Sequence, residues 1–577
     1  MKNLQNNIST YSFLFLVTIL LSSFLTKGGT PLSGSYTIDS ALPTSGTNFQ
    51  SFTDFATSIN SNGISSSVSI SVTAGSGPYN EQVVINPITG SGPTATVTLN
   101  GNGELLTAVT STTQRHVLRL AGVSNCSINN LHIAYDAAST GGFYGIQLLD
   151  SARNVIISDC DISIAGTTST LYGSIVASGS ETSILDPGNF HDVTIYHNTL
   201  QGGGYGVSFY GEGNNLATGI NIDNNTIYDF HSNGIYLRES DGTIISNNIF
   251  DKRTAQITST NAIQIAQAAN INAQIFNNTI SISQTNNGTM TIRGIYLFNG
   301  TGHRVYNNVI HDVRLTSGNF TAIEVRTAAT APEIYYNTVS LDNNVATSGD
   351  LTGFSEELSN TNSVLRNNMI SISQQCSGAK TGIMLGAIAT ANTAISSNYN
   401  NIYVPGGNVA VKGSLTPVIY STLALWQAAS NQDANSQILN PQFTSAAVSV
   451  PTNLALDGSA IAIPSVITDI TGITRGTPPD IGTYEFGVVS VNEFSSENVL
   501  PAYPNPASSV LSVELPVELS EKYLAAVYGV AGNKISDVIL SGDGLKRQLS
   551  VADLSSGFYF LSIISSENKY NVRFVKE

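Results

Sequence analysis

The chain has 577 residues, with 39 Asp and Glu against 23 Lys and Arg, a formal net charge of -16 and only 11% charged residues. Such a length holds several domains or one elongated one, and the places that charge leaves empty are filled by Ser, Thr, Asn and 51 Gly, a composition suited to stacked strands and turns. The acidic balance, with no run rich in Lys or Arg, excludes nucleic acid as a partner, and Cys126, Cys160 and Cys376 are too few for a disulfide framework and form no zinc-type cluster, so they read as buried thiols.

The chain opens with Lys2, an apolar run from Phe13 to Leu25 and small residues after Lys27, the pattern of a secretory signal peptide over residues 1–29. A membrane anchor needs about 20 apolar residues, which this stretch does not reach, and no later segment is apolar enough to span. Next, Phe49, Phe52, Phe55, Ala56 and Ile59 have helical spacing with Gly63 as a stop, which predicts a helix capping the first coil of a solenoid.

From there one phrase recurs, apolar-x-Asn-Asn-x-apolar, around Asn225, Asn248, Asn278, Asn308 and Asn368, with degenerate copies that put Asn198, Asn337, Asn398 and Cys160 in the second Asn slot. From Asn198 to Asn398 the steps are 27, 23, 30, 30, 29, 31 and 30 residues, a solenoid period. A stacked side-chain amide can donate to one neighbouring coil and accept from the other, and Asn tolerates the left-handed backbone of a tight corner, so these residues are read as a structural ladder. A second phrase runs in phase with it: Gly206 to Tyr210, Gly234 to Arg238, Ala262 to Ala266, Gly294 to Phe298, Ala322 to Arg326 and Gly382 to Gly386. Its alternation marks strands with one buried face, and two short strands per coil predict a parallel β-helix.

After the repeats, Leu423 to Ala429 reads as a short helix, and beyond Val491 short alternating strands at regular spacing suggest a small β-sandwich. The strings YPNPASS from Tyr503, GNKI from Gly532, LSSGFYFLSI from Leu554 and the terminal VRFVKE resemble the C-terminal sorting domain of proteins exported by the type IX secretion system of Bacteroidetes. That resemblance implies passage across the outer membrane, usually with removal of the domain and release or attachment at the cell surface. LSGSYTI from Leu32, YNEQVVI from Tyr79, LALWQAASNQDANS from Leu423 and PDIGTYEF from Pro479 are similar to stretches of secreted proteins with a right-handed, pectin-lyase-like β-helix. This second resemblance implies a fold and leaves function open.

The expected class is therefore all-β, a right-handed parallel β-helix followed by a small Ig-like β-sandwich. The expected organisation is a signal peptide over 1–29, an N-terminal cap and first coils over 30–120, repeats over 121–405, a C-terminal cap over 406–490 and a sorting domain over 491–577.

In the second phrase, the residues between the buried ones point outward and stack from coil to coil at about 4.8 Å. The outward rows should read Ser208, Tyr236, Gln264, Tyr296, Glu324 and Tyr210, Arg238, Ala266, Phe298, Arg326. Aromatic faces stack on sugar rings and arginine holds a uronate or sulfate bidentately, so Tyr210, Tyr236, Arg238, Tyr296, Phe298, Glu324 and Arg326 are the candidate ligand-binding residues for an extracellular polysaccharide. The bland alternative is that the rings cover a pleated surface and Arg326 pairs with Glu324.

For catalysis, Glu324, Arg326 and Tyr296 are the candidates. Resemblance to β-helix lyases would cast Tyr296 as base and Arg326 as the group neutralising a uronate, while a hydrolase would pair Glu324 with Glu356 or Glu357. Asp159-Cys160-Asp161 is the nearest approach to a polygalacturonase-like string, and Cys160 in the ladder slot makes it structural.

Asp229, His231, Glu239, Asp241, Asp251, Lys252, Arg253, His311, Asp312 and Arg314 follow the corners, where charge is readily solvated. Calcium among Asp229, Asp241 and Asp251 lacks a loop of calcium-ligand spacing, and no cofactor or metal is assigned. The expected role is a secreted or surface protein that binds extracellular polysaccharide or acts as an adhesin, its only other partner being the type IX secretion machinery through 491–577. The alternatives are a lyase or glycoside hydrolase acting on an acidic glycan, or a structural surface protein.

Overall fold

The structure, a computed structural model, describes residues 29–164, 169–253, 259–266, 269–284, 290–315, 317–343, 347–357, 362–386, 395–413, 416–445, 449–487, 499–516, 523–529, 534–542, 544–564 and 569–577. The expected signal peptide lies almost entirely outside them, as do Gly532 and Asn533 of the GNKI turn and the expected boundary at 491. The chain divides into two compact units, 1–487 and 488–577.

In the first unit, parallel strands stack into three sheets of 16, 12 and 13 strands. Each coil therefore has three strands rather than the expected two. The correction has a local cause: the ladder phrase breaks at its first Asn into two strands, as in Asn221–Asp223 and Thr226–Tyr228, followed by the second-phrase strand Asn233–Arg238. The three sheets are called here the ladder, corner and face sheets. With one corner strand per coil, the solenoid has about 12 turns.

The two Asn of the phrase divide the work that a single residue was expected to do. The first takes the left-handed turn, with φ of 55° at Asn224, 54° at Asn247, 55° at Asn277 and 54° at Asn307, a conformation Asn adopts more cheaply than most residues. The second is buried and forms the ladder. The Nδ2 of Asn225 donates to Asn248 Oδ1 at 3.0 Å, Asn248 to Asn278 at 3.0 Å and Asn278 to Asn308 at 2.9 Å, while each Nδ2 also reaches a backbone carbonyl of the preceding coil. The ladder continues through Asn337 and Asn368 to Asn400, so its last member is Asn400 and not Asn398. Cys160 holds the first slot, with its amide on Asn198 Oδ1 at 2.9 Å.

Inward rows stack like on like. Ile195, Ile222, Ile245, Ile275, Val305 and Ile334 stand in register, each at most 1% exposed, and burying such a side chain contributes about 1.5–3 kcal/mol. Small residues open the second phrase because the face sheet abuts the corner sheet there. A Cβ on Gly206 would lie 2.5 Å from Ile227, and one on Gly353 2.4 Å from Ile370. Cys126 and Cys160 are buried, and burial pushes both thiols up to about 12, whereas Cys376 is only half-buried, contrary to expectation.

Both ends of the core are covered. The predicted N-terminal helix is Phe52–Asn62, capped by Ser51 Oγ on Asp54 N at 3.0 Å and ended by Gly63 at φ 65°, with Phe52, Phe55, Ala56 and Ile59 buried. Phe49 belongs to a short strand before it. At the other end, the helix Leu423–Ser430 buries Trp426, and residues 440–487 pack Leu456, Ala460, Val466 and Ile481 against Tyr335, Tyr336 and Met369.

The PDIGTYEF string locks that return segment in place. Asp480 accepts from Gly458 N at 2.6 Å and Phe486 N at 2.6 Å, and Thr483 Oγ1 donates to the Asn308 and Tyr336 carbonyls at 3.1 Å each. Burial raises the Asp480 carboxyl from 3.8 to about 7. The folded form then keeps a proton that the unfolded chain releases, so this group's contribution is full below about pH 4 and is lost as pH rises through about 7. We expect the difference in Tm between about pH 5 and about pH 8 to shrink by about 2–4 °C in Asp480→Asn relative to the parent; an unchanged difference would mean that Asp480 does not titrate in this window.

The second unit is a small β-sandwich. A five-stranded sheet includes Leu524–Gly529, Gly557–Ile564 and Lys569–Lys576, and a three-stranded sheet holds Ala502–Tyr503, Val510–Glu514 and Lys546–Ser550. Leu511, Val513, Leu561, Ile563, Val572 and Phe574 are buried in its core. The YPNP string holds the last strand, because Asn505 Oδ1 accepts from Val575 N at 2.8 Å and its Nδ2 donates to Arg573 O at 3.2 Å.

Candidate functional site

The register of the face sheet places the first expected row as read: Ser208, Tyr236, Gln264, Tyr296 and Glu324 are successive partners, and Ser355 follows Glu324. Tyr210 stands beside Arg238 in the second row. A third row at the strand starts, Tyr205, Asn233, Asn261 and Arg293, was not singled out from the sequence.

The rings and guanidinium groups on this face are already engaged with one another. Arg238 lies over Tyr210 at 4.2 Å, Arg293 over Tyr296 at 4.4 Å and Arg326 over Phe298 at 5.5 Å. Tyr210 and Tyr296 are consequently buried, at 7% and 4% exposure, while Tyr236, Arg238, Phe298 and Arg326 remain half-buried. The surface offered to a ligand is thus a patchwork of Tyr236, Phe298 and guanidinium planes, rather than a row of bare tyrosines. At its N-terminal end the face is covered, with Ile184 packed on Tyr144, Val176 and Tyr205.

Ion pairs across the coils differ from the local pairing weighed for Arg326. Glu324, 8% exposed, accepts from Arg293 Nε at 2.7 Å. Arg326 holds Glu357 bidentately, its Nη2 at 2.8 Å, and gives Nη1 to the Tyr296 hydroxyl at 3.0 Å. Arg238 Nε, by contrast, stands 3.8 Å from its own sequence neighbour Glu239 and reaches no carboxylate of another coil by hydrogen bond among the described residues. Arg293 was missed because it is three residues before Tyr296, an odd spacing that regular alternation sends to the opposite face; the one signal for it was an arginine directly before the GIYLF phrase.

This geometry bears on each catalytic candidate. The partner of Glu324 on the next coil is Ser355, Glu356 is 1% exposed, and Glu357 is committed to Arg326, so Glu324 and the two glutamates do not make the facing carboxylate pair of a glycosidase. Burial raises the Tyr296 phenol above its ordinary value, with the Arg326 hydrogen bond opposing, which leaves it protonated at neutral pH and ill-suited to act as a base.

The other charged positions fall elsewhere. Arg253 pairs with Asp251 at 2.7 Å and with Asp312 at 3.5 Å, and Arg314 pairs with Asp312 at 2.8 Å. Asp241 lies in the ladder sheet while Asp251 lies in the corner sheet, so the weighed calcium set does not converge. Among the described residues no three His, Cys, Asp or Glu are arranged to hold a metal ion. Asp159 bonds His197 at 2.6 Å, which holds its carboxyl below the usual range; it borders a shallow polar hollow of about 680 Å³ on the ladder sheet, lined by Ser, Thr and Asn.

Fold and modules together define a parallel β-helix protein directed to the outside of the cell, with no described helix long and apolar enough to cross a membrane. Residues 501–577 match the family described as "Secretion system C-terminal sorting domain", so the chain carries a type IX sorting domain and is secreted or held at the outer cell surface. Among curated proteins none matches. Solved structures similar to this chain include a GH136 lacto-N-biosidase from Eubacterium ramulus, at 9% identity and TM-score 0.32, over 66% of this chain and 71% of that one. PfbA, a surface adhesin of Streptococcus pneumoniae, is similar at 12% and 0.33, over 63% and 88%. The periplasmic alginate epimerase AlgG is similar at 14% and 0.33, over 60% and 74%. At such TM-scores the likeness says nothing of what this chain binds.

Proposed function

We propose that the mature protein is a non-catalytic, surface-exposed binder of extracellular polysaccharide, acting as an adhesin through the outer side of the face sheet. The observation that carries this reading is the stripe of half-buried Tyr236, Arg238, Phe298 and Arg326 on three of four successive coils of one rigid parallel sheet, with Gln264 on the coil between Tyr236 and Phe298. A rigid sheet presents such groups at fixed spacing with little ordering cost, and aromatic and guanidinium planes both stack on the apolar faces of sugar rings. Binding is favoured over cleavage because the carboxylate and phenol candidates are tied up in ion pairs or buried.

Single substitutions Tyr236→Ala, Arg238→Ala and Phe298→Ala should each weaken retention of the cognate polymer about 3- to 10-fold, in steps and at temperatures well below the Tm of each variant. Pull-down of intact polymer, read beside reducing-end release and absorbance of unsaturated uronate, checks this. Product formation abolished by Glu324→Gln or Arg326→Ala would replace the binding reading with an enzymatic one.

A further inference from the structure

On the binding stripe each arginine has a carboxylate beside it, Arg293 and Arg326 by direct hydrogen bond and Arg238 at ion-pair distance only. Arg293 is matched by Glu324 at 2.7 Å, Arg326 by Glu357 at 2.8 Å and Arg238 by Glu239 at 3.8 Å. We infer that the ligand of this face is a neutral, hydroxyl-rich polysaccharide and not a uronate or sulfated polymer; the inference rests on the proposed binding role and narrows it to a substrate class.

A polyanion would have to displace Glu324 or Glu357 from its guanidinium. That exchanges one carboxylate–guanidinium pair for another, gains little, and strands a glutamate on a chain that already carries a formal net charge of -16. A sugar hydroxyl needs no such displacement. It both donates and accepts, and an ion pair presents both partners side by side: spare guanidinium N–H groups and spare carboxylate lone pairs. The same duality continues along the stripe in amides, with Asn261 Nδ2 donating to Asn233 Oδ1 at 2.9 Å and to Gln264 Oε1 at 2.9 Å. Tyr236 and Phe298 then supply apolar contact, whose strength does not depend on ligand charge.

Affinity electrophoresis of the full secreted chain against β-glucan and mannan as neutral probes, and polygalacturonate and alginate as acidic ones, at low and high ionic strength, tests this. The expected result is retention by a neutral polymer that changes less than about twofold with salt. Glu357→Gln, which leaves Arg326 without its counter-charge, should gain about tenfold in retention by polygalacturonate at low salt. Preference of the parent for an acidic polymer, weakening steeply with salt, overturns the inference while leaving the binding face in place. Absence of any gain in Glu357→Gln also overturns it. Loss of nothing on Tyr236→Ala and Phe298→Ala, or retention by neither polymer class, overturns the binding role itself and the inference with it.

Discussion

Replacing Asn278 by Ala should open the middle of the solenoid, at an expected cost of about 3–5 kcal/mol. The side chain makes five hydrogen bonds in a fully buried site. Its Nδ2 donates to the Ile245 and Phe276 carbonyls and to Asn308 Oδ1, and its Oδ1 accepts from both the backbone N and the Nδ2 of Asn248. Ala takes a bond from all five and leaves Asn248 N dry without its acceptor, a loss of about 1–3 kcal/mol for that group before relaxation, while Asn308 Oδ1, Asn248 Nδ2 and the Phe276 carbonyl keep their bonds to Asn278 N, Ile222 O and Asn247 N.

Because each coil touches only its neighbours, the loss should appear as faster hydrogen exchange at the amides of Asn248 and Asn278 and a lower denaturation midpoint, while distant coils keep their protection. Asn277→Gly is the control. Its φ of 55° suits glycine, so the change should stay within about 1 kcal/mol. Equal losses in the two variants would show that the ladder amide has no special weight.

The second large effect is expected at Asp433, where the ladder ends. This buried carboxylate accepts from Trp426 Nε1 at 2.8 Å, Ser397 Oγ at 2.8 Å, Ser436 Oγ at 2.6 Å and, more weakly, Asn400 Nδ2 at 3.3 Å. It also holds a left-handed φ of 58°. Asp433→Ala removes the acceptor common to the cap helix and the last ladder residue, and places Ala in a disfavoured conformation, for about 4–5 kcal/mol in all. Unlatching the helix bares the last coil, so soluble aggregates should form on light scattering well below the parent Tm. Asp433→Asn keeps an acceptor and the backbone preference and should lose less than half as much. If Asp433→Ala scatters no more light than the parent and keeps a Tm near the parent's, the cap is held by apolar contact of Trp426 alone.

Much of this architecture was legible in the chain itself. Asn at a constant period near 30 can mean little besides a stacked corner, and the GIYL phrase in phase with it has one buried face. Helical spacing from Phe52 to Ile59 before Gly63 marked the cap, and Trp426 with Asp433 fell within a string noted for its resemblance. The third strand per coil escaped because the first ladder Asn interrupts the ladder phrase by its backbone conformation, which its side chain does not announce. The slot at Asn400 escaped because a step of 30 from Asn368 falls on another asparagine, Asn398, whereas this coil spans 32 residues.

The binding face was legible only as two rows of residue types. Which residues share a row followed from the period, since in-register stacking of like phrases fixes neighbours once the repeat is known. What those neighbours do to each other followed from tertiary structure. Arg293 reaches Glu324 across 31 positions and lies on the same side as Tyr296 against strand alternation, and Arg326 selects Glu357 over Glu324, which is nearer in sequence. By itself the sequence determined the solenoid, its caps and its export module, because these rest on repeated local patterns and on apolar burial. Only the tertiary structure decided that Arg293 and Arg326 are neutralised and two of the tyrosines covered, because that charge pairing depends on distances of a few ångströms between coils that the chain separates by thirty residues.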